Sequence, residues 1–400
     1  MSLSSQVIVV VLAESQGKGL EPLTAQRTKA AIPFGGKYRM IDFALANCLH
    51  SELRRVLVLT QYKSHSLVKH LRDGWSIFNP EFGEYITAVA PQMHAGNIGY
   101  SGSANAIYQN LFILKRNGAE HILVLPGDTI HRMDYGALLE QHIASGADVT
   151  LACKEQAEPT LANIPAISID TDGRINSLHA ITNAPANAVY PMGIMAVRLD
   201  VLEAELLADH AASDSRHDLV ENLLPRLVAN HQAHAYQFGG ASGRVSQDRY
   251  FRDVHSLDDY YNANMALLES EPPLDLYQGD WTIRTYQSQN PPARTVPGRS
   301  SNEGIFINSI VGGGTVIAGG GVNNSILFTR INVEDAATVE HSILFEGVQV
   351  GENAQLRNCI VDKYVTIPAG TRIGYDAEAD ARRFVVSGQG IVVVPKSYEF

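Results

Sequence analysis

The sequence predicts an α/β fold with a mostly parallel, Rossmann-like sheet, followed by a C-terminal domain built as a triangular parallel β-helix. Three observations carry this expectation. Apolar, β-branched runs alternate with helical stretches up to about residue 265; a Pro-, Gln- and Ser-rich segment then interrupts the pattern; and after it a tetrad recurs at nearly constant spacing. With 400 residues, 45% of them apolar and 18% charged, the chain can bury a large core in two domains. The expected boundaries are 1–270, 271–303 for the linker or crossing segment, and 304–400.

The first element, Val7–Ala13 (VIVVVLA), reads as a buried parallel strand. The turn after such a strand usually holds a phosphate, which asks for glycines and a cation so that backbone N–H groups reach the oxygens. Here Glu14, Ser15 and Gln16 come before the first glycine, Gly17. Further strand-like runs lie at 55–59, 121–125, 149–153 and 233–238, with helical candidates at 41–49, 104–116, 135–144 and 257–268. Alternation of this kind predicts a sheet covered on both faces, binding ligands beyond the carboxyl ends of its strands.

The tetrads NSIV at Asn308, NSIL at Asn324, HSIL at His341 and NCIV at Asn358 follow one another at 16, 17 and 17 residues. Between them an apolar residue falls every five or six positions, including Val316, Val322, Val333, Val339, Val350 and Leu356. Three short strands of that length complete one coil of a β-helix, and stacked coils share a core. An antiparallel sandwich would not impose so regular a tetrad. Flat sides and open ends predict self-association.

A formal charge of −11 argues against a nucleic-acid partner, which needs a net basic face. Cys48, Cys153 and Cys359 lie far apart with no CxxC pairing, so neither a zinc site nor a disulfide framework is expected, in keeping with a reducing cytoplasm. The start MSLSSQ lacks a basic n-region and the apolar run after it is too short for a membrane helix. The expectation is a cytoplasmic protein without a membrane partner.

The stretch 27–51 (RTKAAIPFGGKYRMIDFALANCLHS), followed by LTQYKSHSLVKHL and GWSIFNPEFGEY, closely resembles the bacterial ADP-glucose pyrophosphorylase family, also called glucose-1-phosphate adenylyltransferase. PGDTIHRMDY, YFRDVHSLDDYYNANMALL, LYQGDWTIRTY and DARRF extend the match over essentially the whole chain. The resemblance implies a nucleotidyltransferase domain, a left-handed β-helix, a homo- or heterotetramer, and a role in making ADP-glucose for glycogen. That reaction joins two anions, glucose 1-phosphate and ATP, so Mg²⁺, basic side chains and backbone N–H groups must neutralise their charge.

By resemblance, Asp128 after the strand at 121–125 and Asp253 in RDV match the two metal carboxylates, Lys29 a basic active-site residue and Gln92 a nucleotide-side glutamine. Each has a plainer alternative: GD is an ordinary turn signal, Asp253 could be an ion-pair or cap residue, and Lys29 a surface lysine. The nucleotide turn would comprise Ala13, Glu14, Ser15, Gly17 and Lys18, with Gly102 further on.

Other contacts of the family are altered. Its LAGGxGTRL reads LAESQGKGL, so two glycines have become Glu14 and Ser15 and an arginine has become Gly19, with Lys18 one position away. GTADA reads GSANA with Asn105; the FVEKP region falls near SLHAITNAP; Pro191 replaces a serine; HDFGKD reads HDLVEN; and RDVGT reads RDVHS. These changes imply a degraded active site. The cations matching the family's effector site persist at Arg27, Arg39, Lys363 and Lys396, suited to a phosphate-bearing metabolite, although Arg27 and Arg39 could instead pair with acids. The expectation is a catalytically impaired regulatory subunit that modulates an active pyrophosphorylase subunit, with a slow or altered-specificity Mg²⁺-dependent enzyme as the alternative, and a stand-alone metabolite sensor behind both.

Overall fold

A computed structural model describes residues 6–92, 99–155, 165–185, 187–240, 242–244 and 249–400. The chain forms two compact units. The first comprises residues up to Gln16, Met40–Asp253 and Gln278–Arg284; the second comprises Gly17–Arg39, Val254–Tyr277 and Thr285–Phe400. The expected boundary at 270 thus gives way to a division in which 17–39 and 254–277 belong with the C-terminal residues.

The first unit is built on seven strands: β1 (Val7–Ala13), β2 (Arg55–Thr60), β3 (Tyr85–Val89), β4 (His121–Pro126), β6 (Val149–Lys154), β7 (Tyr190–Arg198) and β8 (Ala233–Gln237). A short pair, β5 (Thr129–His131) with β9 (Phe251–Asp253), stands apart from that sheet. The sheet order is β8-β6-β7-β4-β1-β2-β3, and all neighbours run parallel except β7, which is antiparallel to both β4 and β6. Ile8, Val10, Ile122 and Val124 are at most 1% exposed. Burying each such side chain contributes about 1.5–3 kcal/mol, which is why β1 and β4 anchor the sheet.

Two differences from the sequence expectation have local causes. β7 carries Pro191 and a left-handed Gly193 (φ 73°), and its register shifts between Pro191 and Met195, so turn signals mask a strand. The helix expected over 104–116 breaks into α2 (Ser103–Gln109) and Leu111–Arg116. At the break, the Asn110 Nδ2 donates to the Ala106 carbonyl (2.8 Å) and the Tyr100 hydroxyl (3.1 Å), so its side chain occupies a carbonyl of the helix itself. The helices expected at 41–49 and 135–144 are present as α1 (Ile41–His50) and α3 (Tyr135–Ala144).

The second unit holds three ladders of short parallel strands, five strands in two of them. The tetrads stack in register: Ile310 on Ile326, Ile326 on Ile343, and Ile343 on Ile360. Their first residues, Asn308, Asn324, His341 and Asn358, all have φ between 42° and 47°. The corner of each coil is therefore left-handed, a conformation that asparagine tolerates best among non-glycine residues. The second tetrad residue forms a ladder: Ser325 N–H donates to Ser309 Oγ (3.0 Å), Ser342 N–H to Ser325 Oγ (3.1 Å) and Cys359 N–H to Ser342 Oγ (3.3 Å). The β-helix begins earlier than expected, because Arg294–Val296 already pairs with Val316–Ala318.

Candidate functional site

In the first unit, strand order reverses between β1 and β4, and the carboxyl ends of these two strands form the switch point at which open α/β sheets hold ligands. Gly127 N–H donates to the Leu12 carbonyl (2.8 Å), which ties the turn after β4 to β1 and places Asp128 next to the turn that starts at Glu14. β5 and β9 pair antiparallel with Asp253 opposite Thr129, so Asp253 stands diagonal to Asp128. Both aspartates are half-buried. Among the described residues no group of three or more His, Cys, Asp and Glu side chains could hold a metal ion. Asp128 and Asp253, both half-buried, nevertheless fit Mg²⁺, which takes one or two carboxylates and fills its remaining positions with water and phosphate oxygens.

The Glu14 carboxylate points inward. Its Oε2 is buried with no hydrogen-bond partner. Desolvation, opposed by its own backbone N–H and reinforced by Asp128 and Asp218, pushes the carboxyl pKa up to about 7. Ala13, which ends β1, is buried and pairs with Thr60, whereas Ser15 is exposed.

Two altered segments meet beside this acid. Ser103 Oγ donates to Asp218 Oδ2 (3.0 Å), and Asp218 Oδ1 accepts from the N–H groups of Val220 and Glu221. The first N–H groups of α2, at Ala104 and Asn105, both donate to the His217 carbonyl. A Cβ at Gly102 would overlap that carbonyl and approach the Arg216 carbonyl oxygen to 2.6 Å, so only glycine fits. Asn105 is buried, and its Oδ1 accepts from Ser101 N–H (3.2 Å) and Gln109 Nε2 (2.8 Å), which turns the side chain to internal use. Pro191 and Met192 are buried in β7. Gln92 donates to the Ala90 carbonyl (3.1 Å).

A relay that the sequence reading missed supports β5 from behind. Trp281 Nε1 donates to Asn47 Oδ1 (2.8 Å), Asn47 Nδ2 donates to the His131 carbonyl (3.1 Å), and His131 Nε2 lies 2.9 Å from the Tyr135 hydroxyl. Burial pushes the His131 pKa down to about 3, so the ring is neutral near pH 7. The signal for this relay was the LYQGDWTIRTY match, whose tryptophan had no stated role.

In the second unit Gly17 is left-handed (φ 66°), and a Cβ there would lie 2.9 Å from that of the buried Lys29. Lys18 is exposed. At Gly19 a Cβ would overlap the carbonyl oxygen of His255. Two altered positions therefore face each other, and position 19 has no room for any side chain. Spacing along the chain carries no sign of this encounter, because the residues lie more than two hundred positions apart.

The four effector-type cations also lie in this unit. Arg27 Nη2 donates to both oxygens of Asp362 (2.7 and 2.9 Å), with both side chains buried, while its Nη1 is buried without a hydrogen-bond partner. Lys363 Nζ donates to Glu346 (3.1 Å), which also accepts from Arg330. Burial, then the positive charge of Arg39, holds the Lys363 pKa down against the pull of Glu346, and Arg27 adds to the repulsion. Arg27, Arg39 and Lys363 thus share one electrostatic neighbourhood, with Asp362 and Glu346 paired into it. Lys396 lies two residues beyond Val394, which pairs with Val361.

A nucleotidyl transferase family matches residues 8–270, and a GlmU-like C-terminal hexapeptide family matches residues 291–394. Fold and site together define a nucleotidyl transferase with a left-handed hexapeptide β-helix. The glucose-1-phosphate adenylyltransferase 2 of Vibrio cholerae is 48% identical over 400 residues, 98% of each chain, and that of Vibrio parahaemolyticus 50% over 98% and 99%. The glucose-1-phosphate adenylyltransferase of Pectobacterium carotovorum is 38% identical over 98% and 94%. The chain belongs to the glucose-1-phosphate adenylyltransferase family. No helix among the described residues is long and apolar enough to cross a membrane.

Proposed function

We propose that this chain is a catalytically impaired, regulatory member of its family, which binds an anionic metabolite and modulates an active sister subunit of glycogen synthesis within a tetramer in the cytoplasm. The observation that carries the reading is the closure of position 19 by the His255 carbonyl. Where the family's turn carries an arginine toward the triphosphate, this chain has no space for one. Glu14 adds to the effect: below about pH 7 its buried carboxyl is neutral but bulky, and above that it repels a polyphosphate. If ATP does enter, Asp128 and Asp253 would hold Mg²⁺, which supplies charge neutralisation to the phosphates. On the effector side, the buried Arg27 Nη1 without a partner, beside Arg39 and Lys363, supports binding of a phosphate group.

One observation favours a second reading, an enzyme that still turns over: both metal-type aspartates are retained, Asp253 in β9 and Asp128 just before β5, the strand with which β9 pairs. A single assay separates the two. The purified chain with ATP, glucose 1-phosphate and Mg²⁺ is expected to be at least about a hundredfold slower than a full-motif sister, the scale of losing one preorganised charge contact. Mixed with that sister, it should co-purify and shift the sister's activator response. Comparable turnover by the chain alone sinks the regulatory reading.

A further inference from the structure

The last residues of the chain form a strap held by one guanidinium. Arg383 sits over three aromatic rings, with its central carbon 4.8 Å from the ring centre of Phe384, 5.8 Å from Tyr398 and 5.2 Å from Phe400. The rings also pack on one another, at 4.9 Å between Phe384 and Tyr398 and 4.9 Å between Tyr398 and Phe400. Among the described residues, only two hydrogen bonds involve the segment 396–400: Tyr398 N–H to the Pro395 carbonyl (3.2 Å) and Arg383 Nε to the Tyr398 hydroxyl (3.3 Å). The second of them again comes from Arg383. A cation shared by three ring faces thus holds this segment together with the packing of Tyr398 against the β-helix core.

The strap carries Lys396. The strand Cys359–Val361 runs parallel to Val392–Val394 with Val361 opposite Val394, and Asp362 N–H donates to the Val394 carbonyl (3.0 Å). Lys396 and Lys363 each lie two residues beyond the last paired residues of these neighbouring strands, Val394 and Val361, and the charge of Lys363 is felt by Arg27 and Arg39. Whether Lys396 joins that cluster depends on where the strap lies.

We infer that Arg383 is a positioning residue for anion binding: by clamping Tyr398 and Phe400 it fixes the strap, and with it Lys396, against the rung that carries Lys363. The inference rests on the effector reading above and adds to it a residue that touches no ligand.

The test is titration calorimetry of the full chain with inorganic pyrophosphate, accompanied by thermal melts. Lys363→Ala is expected to weaken binding by at least about tenfold, the worth of one charge-assisted hydrogen bond. Lys396→Ala and Arg383→Ala should each weaken it by roughly fivefold, and the double variant no further, because both act through one position. Arg383→Lys, which keeps a cation over the rings, should stay within about twofold of the unmodified chain. Should Arg383→Ala fail to fold, Phe400→Leu, which removes a partly exposed ring of the clamp, is expected to show the same loss. Losses that multiply in the double variant, or an Arg383→Ala affinity equal to that of the unmodified chain, overturn the inference while leaving the effector reading intact. If Lys363→Ala binds pyrophosphate as well as the unmodified chain, the effector reading fails and the inference with it.

Discussion

Glu14 keeps one carboxyl oxygen out of water and without a donor, close to the negative charges of Asp128 and Asp218, and its pKa rises from 4.5 to about 7. A carboxyl held above its unfolded value favours folding in its neutral form, so its stabilising contribution is complete below about pH 4.5 and fades as pH climbs through 7. Glu14→Gln removes that ionisation. In EDTA, the variant is expected to melt like the unmodified chain at pH 4.5 and to be more stable at pH 8, by at most about 3 kcal/mol. Superimposable profiles at both pH values would mean that the carboxyl reaches water. The sequence showed an acid where a phosphate turn wants bare amides, but not which way it faces. Its burial belongs to the tertiary fold, which brings Asp128 and Asp218 close to it from more than a hundred positions along the chain.

At the scale of elements, the repeat was the most legible feature, because a 16- or 17-residue period constrains every coil at once. What the period did not explain was its asparagines. They occupy left-handed corners, as Asn324 does at φ 45°. Asn324→Val, which places a β-branched residue there, should cost about 1–2 kcal/mol in urea unfolding, whereas Asn324→Gly should be near neutral. Equal costs for the two would remove the corner as the reason for the motif. Strands β1, β2, β4, β6 and β8 were all legible as apolar runs. β7 was not, since Pro191 and Gly193 look like loop residues until the bulge is seen to absorb them. Asn110 split a helix whose apolar spacing ran on unbroken, because spacing does not register a side chain bonding back to Ala106.

For the whole molecule, positions that depart from the family's motifs occur in each unit: Glu14, Asn105 and Pro191 in the first, Gly19 and His255 in the second. The triple change Glu14→Gly, Ser15→Gly and Gly19→Arg is therefore expected to recover little turnover, under about one per cent of a full-motif sister, if each missing charged contact costs about a hundredfold. Recovery to a tenth of the sister's rate would refute the loss on the sugar side. Family membership was legible from motifs spread along the entire chain. The domain division was not, because 17–39 and 254–277 lie within the N-terminal part of the sequence yet belong to the unit that contains the β-helix.

The crowding of Gly19 by the His255 carbonyl also bears on how the turn could change by mutation. A side chain can ordinarily be introduced by a single codon change, but here main chain occupies the volume that a Cβ would need. An intermediate carrying the arginine alone would meet a steric penalty before it gained any benefit. Installing that side chain would require 17–39 and 254–277 to move together, two segments more than two hundred positions apart in the sequence.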